Sequence, residues 1–426
     1  MIVDNDARIF RKDGVPFFYL ADTVWMAFAN LSLEEWDLYT TFRQRQGFNA
    51  LQISILPIQH DMSFDRNTTY PYAVRSDGAI DFDSINEAYF EKAVKMLEIS
   101  CKKGFTPVLT ALWNCYVPTA WAANALRSRT CMPEAFLVEY AAYIAEKFRP
   151  FDPIWAVSGD TNFETEVVVS YYETLLKQLR LRCPDSLFTM HMTPDGQLPE
   201  VFHRPGGIDF YLYQSGHFGD RQDLAFLLAE RFFSSAFSKP IVNGEPCYEG
   251  HCYIGQPRRF SRYEVRKAMW QSVLSGAGAG IAYGAHGLWS FYRKGSTFTN
   301  AKSSGIPYDW RDALLFKGAD DAVYLKALSE EHGLSTMLPW ALPAQSVSPE
   351  MRASATRSLN RIAIYMPRPV ALSLELDCTG YNARAVLLES RQELPVGLCS
   401  QNGTTTIDIP PVCGDYLLLL RKVGAL

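Results

Sequence analysis

The 426-residue sequence is poor in the features that mark several large protein classes. No window approaches the run of ~20 apolar residues that a bilayer-spanning helix needs. Met1-Ile-Val-Asp-Asn-Asp6 is not a basic start followed by an apolar stretch, so no secretory leader is read and a cytoplasmic location is expected. The nine cysteines are odd in number and scattered, with no Cys-x-x-Cys. Cys247 and Cys252 flank an acidic loop but lack the second pair a zinc site needs, so reduced, mostly buried thiols are expected. A net charge of -5 offers no attraction to nucleic acid or to an anionic membrane. Phosphate-cradling loops are missing too: the run Gly276 to Gly280 has no Lys-Ser/Thr behind it and precedes a strand.

What the chain has in excess is aromatic, with 9 Trp, 22 Tyr and 26 Phe. Most of these must be core, but aromatic faces also stack on the C–H faces of sugar rings. Apolar content of 48% and charge of 20% are those of a globular protein long enough for one large core and a small satellite.

Strand and helix signals alternate through the first three quarters of the chain. An Asp13-Gly14 turn between apolar runs reads as a hairpin whose second arm becomes the first core strand, ending at Asp22. Ser32-Leu-Glu-Glu35 reads as a capping box opening a helix that stops at Gly47. A strand at Phe48 to Leu56 and a long polar loop over 57–82 come next, then a second capping box at Ser84-Ile-Asn-Glu87. Further strands are expected at Thr106 to Leu112, Ile154 to Gly159, Leu187 to His191, Phe210 to Gln214, Pro240 to Gly244 and Gly276 to Tyr283. Most are followed by an amphipathic helix, which implies a parallel sheet. Eight such units fit a closed (β/α)8 TIM barrel over residues 1–334. An open doubly wound sheet would carry a Gly-rich turn after its first strand, where this chain has Asp22-Thr-Val-Trp25. A loop from His286 to Asp309 precedes the last helix. After Gly333 short alternating runs predict a small antiparallel β-sandwich domain over 335–426.

In such a barrel the strand C-termini share one face. That face would carry Asp22, Gln52, Trp113, Asp160, His191, Gln214, Glu245 and Tyr283. Strand one has no His-x-His for a metal hydrolase and no strand interior carries a Schiff-base Lys, so no metal or cofactor is expected. In Lys239-Pro-Ile-Val-Asn-Gly-Glu-Pro-Cys-Tyr-Glu-Gly250, Pro246 stops the strand with Glu245 at its end. Asp160 ends another strand eighty-five positions upstream. Two carboxyls with aromatics and amides around them are what glycoside hydrolysis requires: one protonates the leaving oxygen, the other attacks or activates water. Asp160 is assigned as general acid/base and Glu245 as nucleophile. Glu249 and Asp61 rank below them, since neither ends a predicted strand.

Six stretches together resemble the apiosidase-like glycoside hydrolases of family 140. They are Gly14-Val-Pro-Phe-Phe-Tyr-Leu-Ala-Asp-Thr-Val-Trp25, Gly47-Phe-Asn-Ala-Leu-Gln52, Ile154-Trp-Ala-Val-Ser-Gly-Asp160, Tyr213-Gln-Ser-Gly-His217, Gly244-Glu-Pro-Cys-Tyr-Glu-Gly250 and Tyr283-Gly-Ala-His-Gly-Leu-Trp-Ser290. The resemblance implies a (β/α)8 barrel with a small C-terminal β domain of the collagen-binding-like type. It also implies that the Gly-Asp of strand four supplies the acid/base and the Gly-Glu-Pro of strand seven the nucleophile, the same two residues. Where the family usually continues strand four with a basic residue and Asn, this chain has Thr161-Asn162.

The expected activity is hydrolysis of an O-glycosidic bond in a plant-derived oligosaccharide or glycoside, one containing apiose among the candidates, with a retaining outcome favoured. The competing readings are a non-catalytic carbohydrate-binding or scaffold barrel and, third, a metal-dependent hydrolase. A small carbohydrate is the expected partner, without nucleic acid or membrane. Substrate contacts are expected from Asp22, Trp25, Gln52, Trp113, Asn162, His191, Gln214, His217, Tyr248, Tyr283, His286 and Trp289. Asp22 could equally lock a neighbouring loop, Trp113 and Trp289 could be packing, and His191 could make a structural hydrogen bond.

Overall fold

The computed structural model describes residues 1–194, 196–343 and 348–424. Eight strands form one parallel sheet: Tyr19–Thr23, Ala50–Ser54, Thr106–Trp113, Ile154–Gly159, Phe188–Thr189, Tyr211–Gln214, Ile241–Glu245 and Gly280–Tyr283, here strands one to eight. Their spatial order is five, four, three, two, one, eight, seven, six. A parallel bridge between His191 and Leu212 joins strand five to strand six and closes the barrel.

The barrel interior is a packed core. Tyr19, Ala21, Ala50, Val108, Ile154, Ala156, Leu212, Val242 and Ala282 form one buried cluster with Phe10 of the N-terminal hairpin. Ile9–Lys12 pairs antiparallel with Val15–Phe17 around the Asp13-Gly14 turn. Its Phe10 ring meets Phe210 edge-on at 4.9 Å, plugging the end of the barrel where the strands begin. The chemistry is therefore confined to the opposite end.

Helices clothe the outside for the local reasons read above. Leu33–Gln46 has a complete capping box between Ser32 and Glu35, and Gly47 closes it at φ 109°, the left-handed region that favours glycine. The second expected box does not form. Ser84 lies in the strand Ile80–Ile85, which pairs with Tyr72–Val74, and the helix Glu87–Lys102 starts behind Asn86 without a side-chain cap. Strand pairing claims Ser84 before it can cap. The loop expected over 57–82 and the one after strand eight also hold structure: Ser63–Phe64 pairs with Thr297–Phe298.

Beyond the barrel, antiparallel strands between Leu338 and Lys422 form a six-stranded and a three-stranded sheet over their own apolar core. A buried ion network fastens this region to the barrel. Arg266, on the helix Arg262–Leu274, binds Asp415 at 2.7 Å and Asp321 at 2.8 Å, while Trp270 stacks near Tyr365. All nine cysteines are free thiols, five of them buried. Among the described residues, no helix is long and apolar enough to cross a membrane.

Candidate active site

The C-terminal ends of the strands open into a cavity of about 630 Å³. Strand four delivers Asp160 to it under backbone strain. Asp160 sits at φ 51°, a left-handed conformation that costs ~1–3 kcal/mol in a non-glycine residue unless its surroundings impose it. They do: its N–H donates to His191 Nδ1 at 3.1 Å, and its carbonyl accepts from Asn114 Nδ2 at 2.5 Å and Trp121 Nε1 at 3.0 Å. The preceding Gly159 is required by contact, since a Cβ there would lie 2.2 Å from the Trp113 ring.

Glu245 ends strand seven and is buried. His217 Nε2 lies 3.0 Å from its Oε1 and His191 Nε2 lies 3.1 Å from its Oε2. The backbone orients both rings. His191 Nδ1 accepts from Asp160 N–H, and His217 Nδ1 accepts from Tyr248 N–H at 3.4 Å. Each imidazole thus turns its Nε2 toward the carboxylate, and His217 Nε2 hydrogen-bonds Oε1. His217 is backed by the stacked ring of His251 at 4.1 Å. Tyr248 receives Trp25 Nε1–H on its hydroxyl at 3.1 Å and hydrogen-bonds Glu245.

These surroundings drive the two carboxyls apart in proton affinity. Burial pushes Asp160 well above the usual carboxylate range, and the nearby negative charges of Glu245 and Asp61 add to that. The Gln214 amide, with its nitrogen toward Asp160 Oδ1 at 3.2 Å, opposes the rise without cancelling it. Burial also acts to raise Glu245, but hydrogen bonds from His191 and His217 outweigh it and hold that carboxyl at about 2. Their surroundings thus favour opposite forms, the protonated one at Asp160 and the ionised one at Glu245.

Of the residues expected from sequence, Trp25, Trp113, Asp160, Asn162, Gln214, His217, Glu245, Tyr248 and Trp289 line this cavity. His191 stands behind Glu245, fully buried. Four lie elsewhere. Asp22 is fully buried, bonded to Arg43 Nε at 2.5 Å and to the Tyr39 hydroxyl at 2.6 Å, so it secures a helix to the barrel. Gln52 spends its amide on Tyr19, Thr23 and the Gly244 carbonyl inside the barrel. Tyr283 donates to Glu249 at 2.7 Å, and His286 pairs with the Gly305 carbonyl at 3.0 Å. Asp22 thus turns to a helix, Gln52 into the barrel interior, and Tyr283 and His286 to neighbouring loop residues.

The cavity also takes in residues that strand-end reasoning passed over: His60, Trp121, Phe218, His251 and Asn300, and Asp61, which it had ranked low. All sit on loops. The available signal was the polar His60-Asp61 pair just after strand two. Among the described residues, no group of three or more His, Cys, Asp and Glu side chains is disposed to hold a metal ion.

A family model described as apiosidase-like, catalytic domain, matches residues 4–336. The chain belongs to the apiosidase-like family. That membership makes this apiosidase-like protein a glycosidase. A solved glycoside hydrolase shares its fold at a TM-score of 0.81 and 20% identity, covering 100% of this chain and 97% of the other. A family 5 glycoside hydrolase from Bacteroides vulgatus gives 0.81 at 19% identity, covering 100% and 93%. At such identities the likeness is one of fold. No functionally curated protein matches the sequence. In the apiosidase-like chain Asp160 directly follows strand four and Glu245 ends strand seven, and the matched region ends where the antiparallel strands begin.

Proposed function

We propose that the protein hydrolyses an O-glycosidic bond of a plant-derived oligosaccharide or glycoside, apiosides among the candidates, with retention of configuration. The observation that carries this reading is a pair of carboxyls in one cavity with opposite shifts, Asp160 upward and Glu245 down to about 2. Pairs separated in this way mark the acid and its partner in carboxylate-based catalysis.

In the first step Asp160 gives its proton to the glycosidic oxygen while a Glu245 oxygen attacks the anomeric carbon. The bond to the leaving oxygen breaks, the alcohol departs, and a glycosyl ester on Glu245 remains. Asp160, now a carboxylate, removes a proton from water, which attacks the same carbon. The sugar leaves and both residues return to their starting states. His191 and His217 serve Glu245 by keeping it ionised and fixing its orientation, each oxygen retaining a lone pair for attack. Trp113 and Trp289 offer ring surface at the cavity wall.

A panel of 4-nitrophenyl glycosides that includes apiosides and arabinosides tests the reading. The wild type is expected to cleave at least one member. Glu245→Gln should lose nearly all activity, and Asp160→Asn should lose ~10²- to 10⁴-fold on substrates with poor leaving groups. Asn tolerates the left-handed backbone at position 160, so the fold survives that change. Full activity in either variant would refute the roles. A release product of inverted configuration, seen by NMR, would refute retention.

A further inference from the structure

Neighbouring loops around the cavity are joined to one another. The ribbon Ser63–Phe64 with Thr297–Phe298 ties the loop after strand two to the loop after strand eight, and Met62 and Thr299 continue it. Cys252 N–H donates to the Ser304 carbonyl at 3.1 Å and Gly255 N–H to Ser303 at 3.2 Å, joining eight to seven. Ile254 N–H donates to the His217 carbonyl at 3.1 Å, joining seven to six. On the other side, the Tyr116 hydroxyl donates to the Pro57 carbonyl at 2.7 Å, and Trp121 bonds both Glu164 and Asp160. Thr193 N–H donates to the Thr161 carbonyl at 2.9 Å, and Pro194 packs on Gly216. A polymer lying through a cleft needs two open ends. Among the described residues, hydrogen bonds tie the neighbouring loops named here, except that those after strands five and six meet by packing.

Inside, four residues lining the cavity carry buried polar atoms without a partner: His60 Nδ1, Asp61 Oδ1, Trp113 Nε1 and Trp289 Nε1. Unmatched buried groups are costly and call for an explanation. These four atoms are closed off from the cavity, and the polar side chains that its wall presents to sugar hydroxyls, which both donate and accept, include Asp61, Asn162, Gln214 and Asn300. Asp61 sits with Asn300 beside it, on the loops after strands two and eight, joined by the ribbon. At the mouth the character changes. Trp121, Phe218 and Ile254 are 38%, 37% and 40% exposed, an apolar lip whose Trp121 is bonded to the acid's own backbone.

We infer that the cavity holds one terminal sugar residue, gripped at its distal hydroxyls by Asp61 and Asn300, and that the enzyme removes such residues singly. The leaving group extends outward past the apolar lip. This inference rests on the hydrolytic reading above, and it adds the direction of attack and two specificity-determining residues. A chain extended on both sides of the cleaved residue would have to part the ribbon that joins the loops after strands two and eight.

Two readouts test it and separate its failure from that of the hydrolytic reading. The first follows a reducing-end-labelled oligosaccharide terminated by the sugar that the aryl glycoside panel identifies. Stepwise loss of single residues from the non-reducing end is expected; internal fragments at early times would overturn the inference while leaving hydrolysis intact. The second measures the thermal shift caused by the free monosaccharides of the panel. At least one should raise the wild-type midpoint, and Asp61→Ala and Asn300→Ala should abolish that rise. The same variants should lower kcat/KM about 10- to 100-fold, as expected for losing a charge-assisted hydrogen bond. Asp61→Asn, which keeps an acceptor, should recover part of it. Unchanged shifts and kcat/KM in both alanine variants, or no shift with any sugar in the wild type, would overturn the assignment. Sugar binding that depends on Asp61 in a protein without hydrolysis would leave the pocket standing and sink the mechanism instead.

Discussion

His191 Nε2 lies 3.1 Å from Glu245 Oε2, while the opposite ring nitrogen of His191 accepts the backbone N–H of Asp160 at 3.1 Å. One imidazole thus meets the carboxylate of strand seven and braces the strained residue that follows strand four.

Replacing His191 tests that double role. His191→Ala removes a donor from a buried carboxylate, so the affinity of Glu245 for its proton rises from its low value of about 2. The acid limb of the kcat/KM profile should move to higher pH, with a loss of about 10- to 100-fold at the optimum. His191→Gln, whose amide can donate near the Nε2 position, should return the limb part of the way. A pH–rate profile of the three proteins decides the matter; an acid limb that stays in place would show that His191 only packs.

The charge on Asp61 should be legible at the other end of the profile. Burial raises the Asp61 carboxyl to about 7, Glu245 adds to the rise, and the ionised form in turn raises Asp160. Asp160 must keep its proton to act as the acid, so activity falls as pH climbs through its folded value. Asp61→Asn deletes a negative charge and makes Asp160 ionise earlier. The alkaline limb is therefore expected at lower pH in the variant, whatever happens to the absolute rate. A limb that moves upward would place the control of Asp160 elsewhere.

Asp22 should govern stability rather than binding. Both it and Arg43 are fully buried, and they are bonded at 2.5 Å. Removing one partner of a buried ion pair leaves the other charge uncompensated, a loss of ~3–5 kcal/mol. Asp22→Ala should lower the denaturant midpoint accordingly while the folded fraction keeps its KM. A raised KM with unchanged stability would restore Asp22 to the substrate.

Much of the architecture was legible along the chain because its signals are local. The capping box at Ser32 and Glu35, the Gly47 stop and the Asp13-Gly14 turn depend on neighbours within a few positions, and each formed. The box at Ser84 failed because strand pairing with Tyr72–Val74 claimed that segment, a contact that pattern alone does not weigh. Strand ends also located Asp160 and Glu245, since Pro246 and Gly159 punctuate the chain beside them. Pattern could not distinguish a residue near a strand end that faces the cavity from one that bonds to a helix, a loop or the barrel interior. Asp22, Gln52, Tyr283 and His286 were therefore grouped with residues whose surroundings differ from theirs.

The sequence by itself determined the eight-unit alternation, the antiparallel strands after it and the placing of Asp160 and Glu245 at strand ends, because these follow from side-chain period and from breakers adjacent in the chain. The tertiary structure alone decided which groups share the cavity and how they ionise. Met62 meets Thr299 across 237 positions, and only that closure brings Asp61 to Asn300. Only folding buries Asp160 and turns two histidines toward Glu245, and it is burial and nearby dipoles, absent from a linear pattern, that assign the proton.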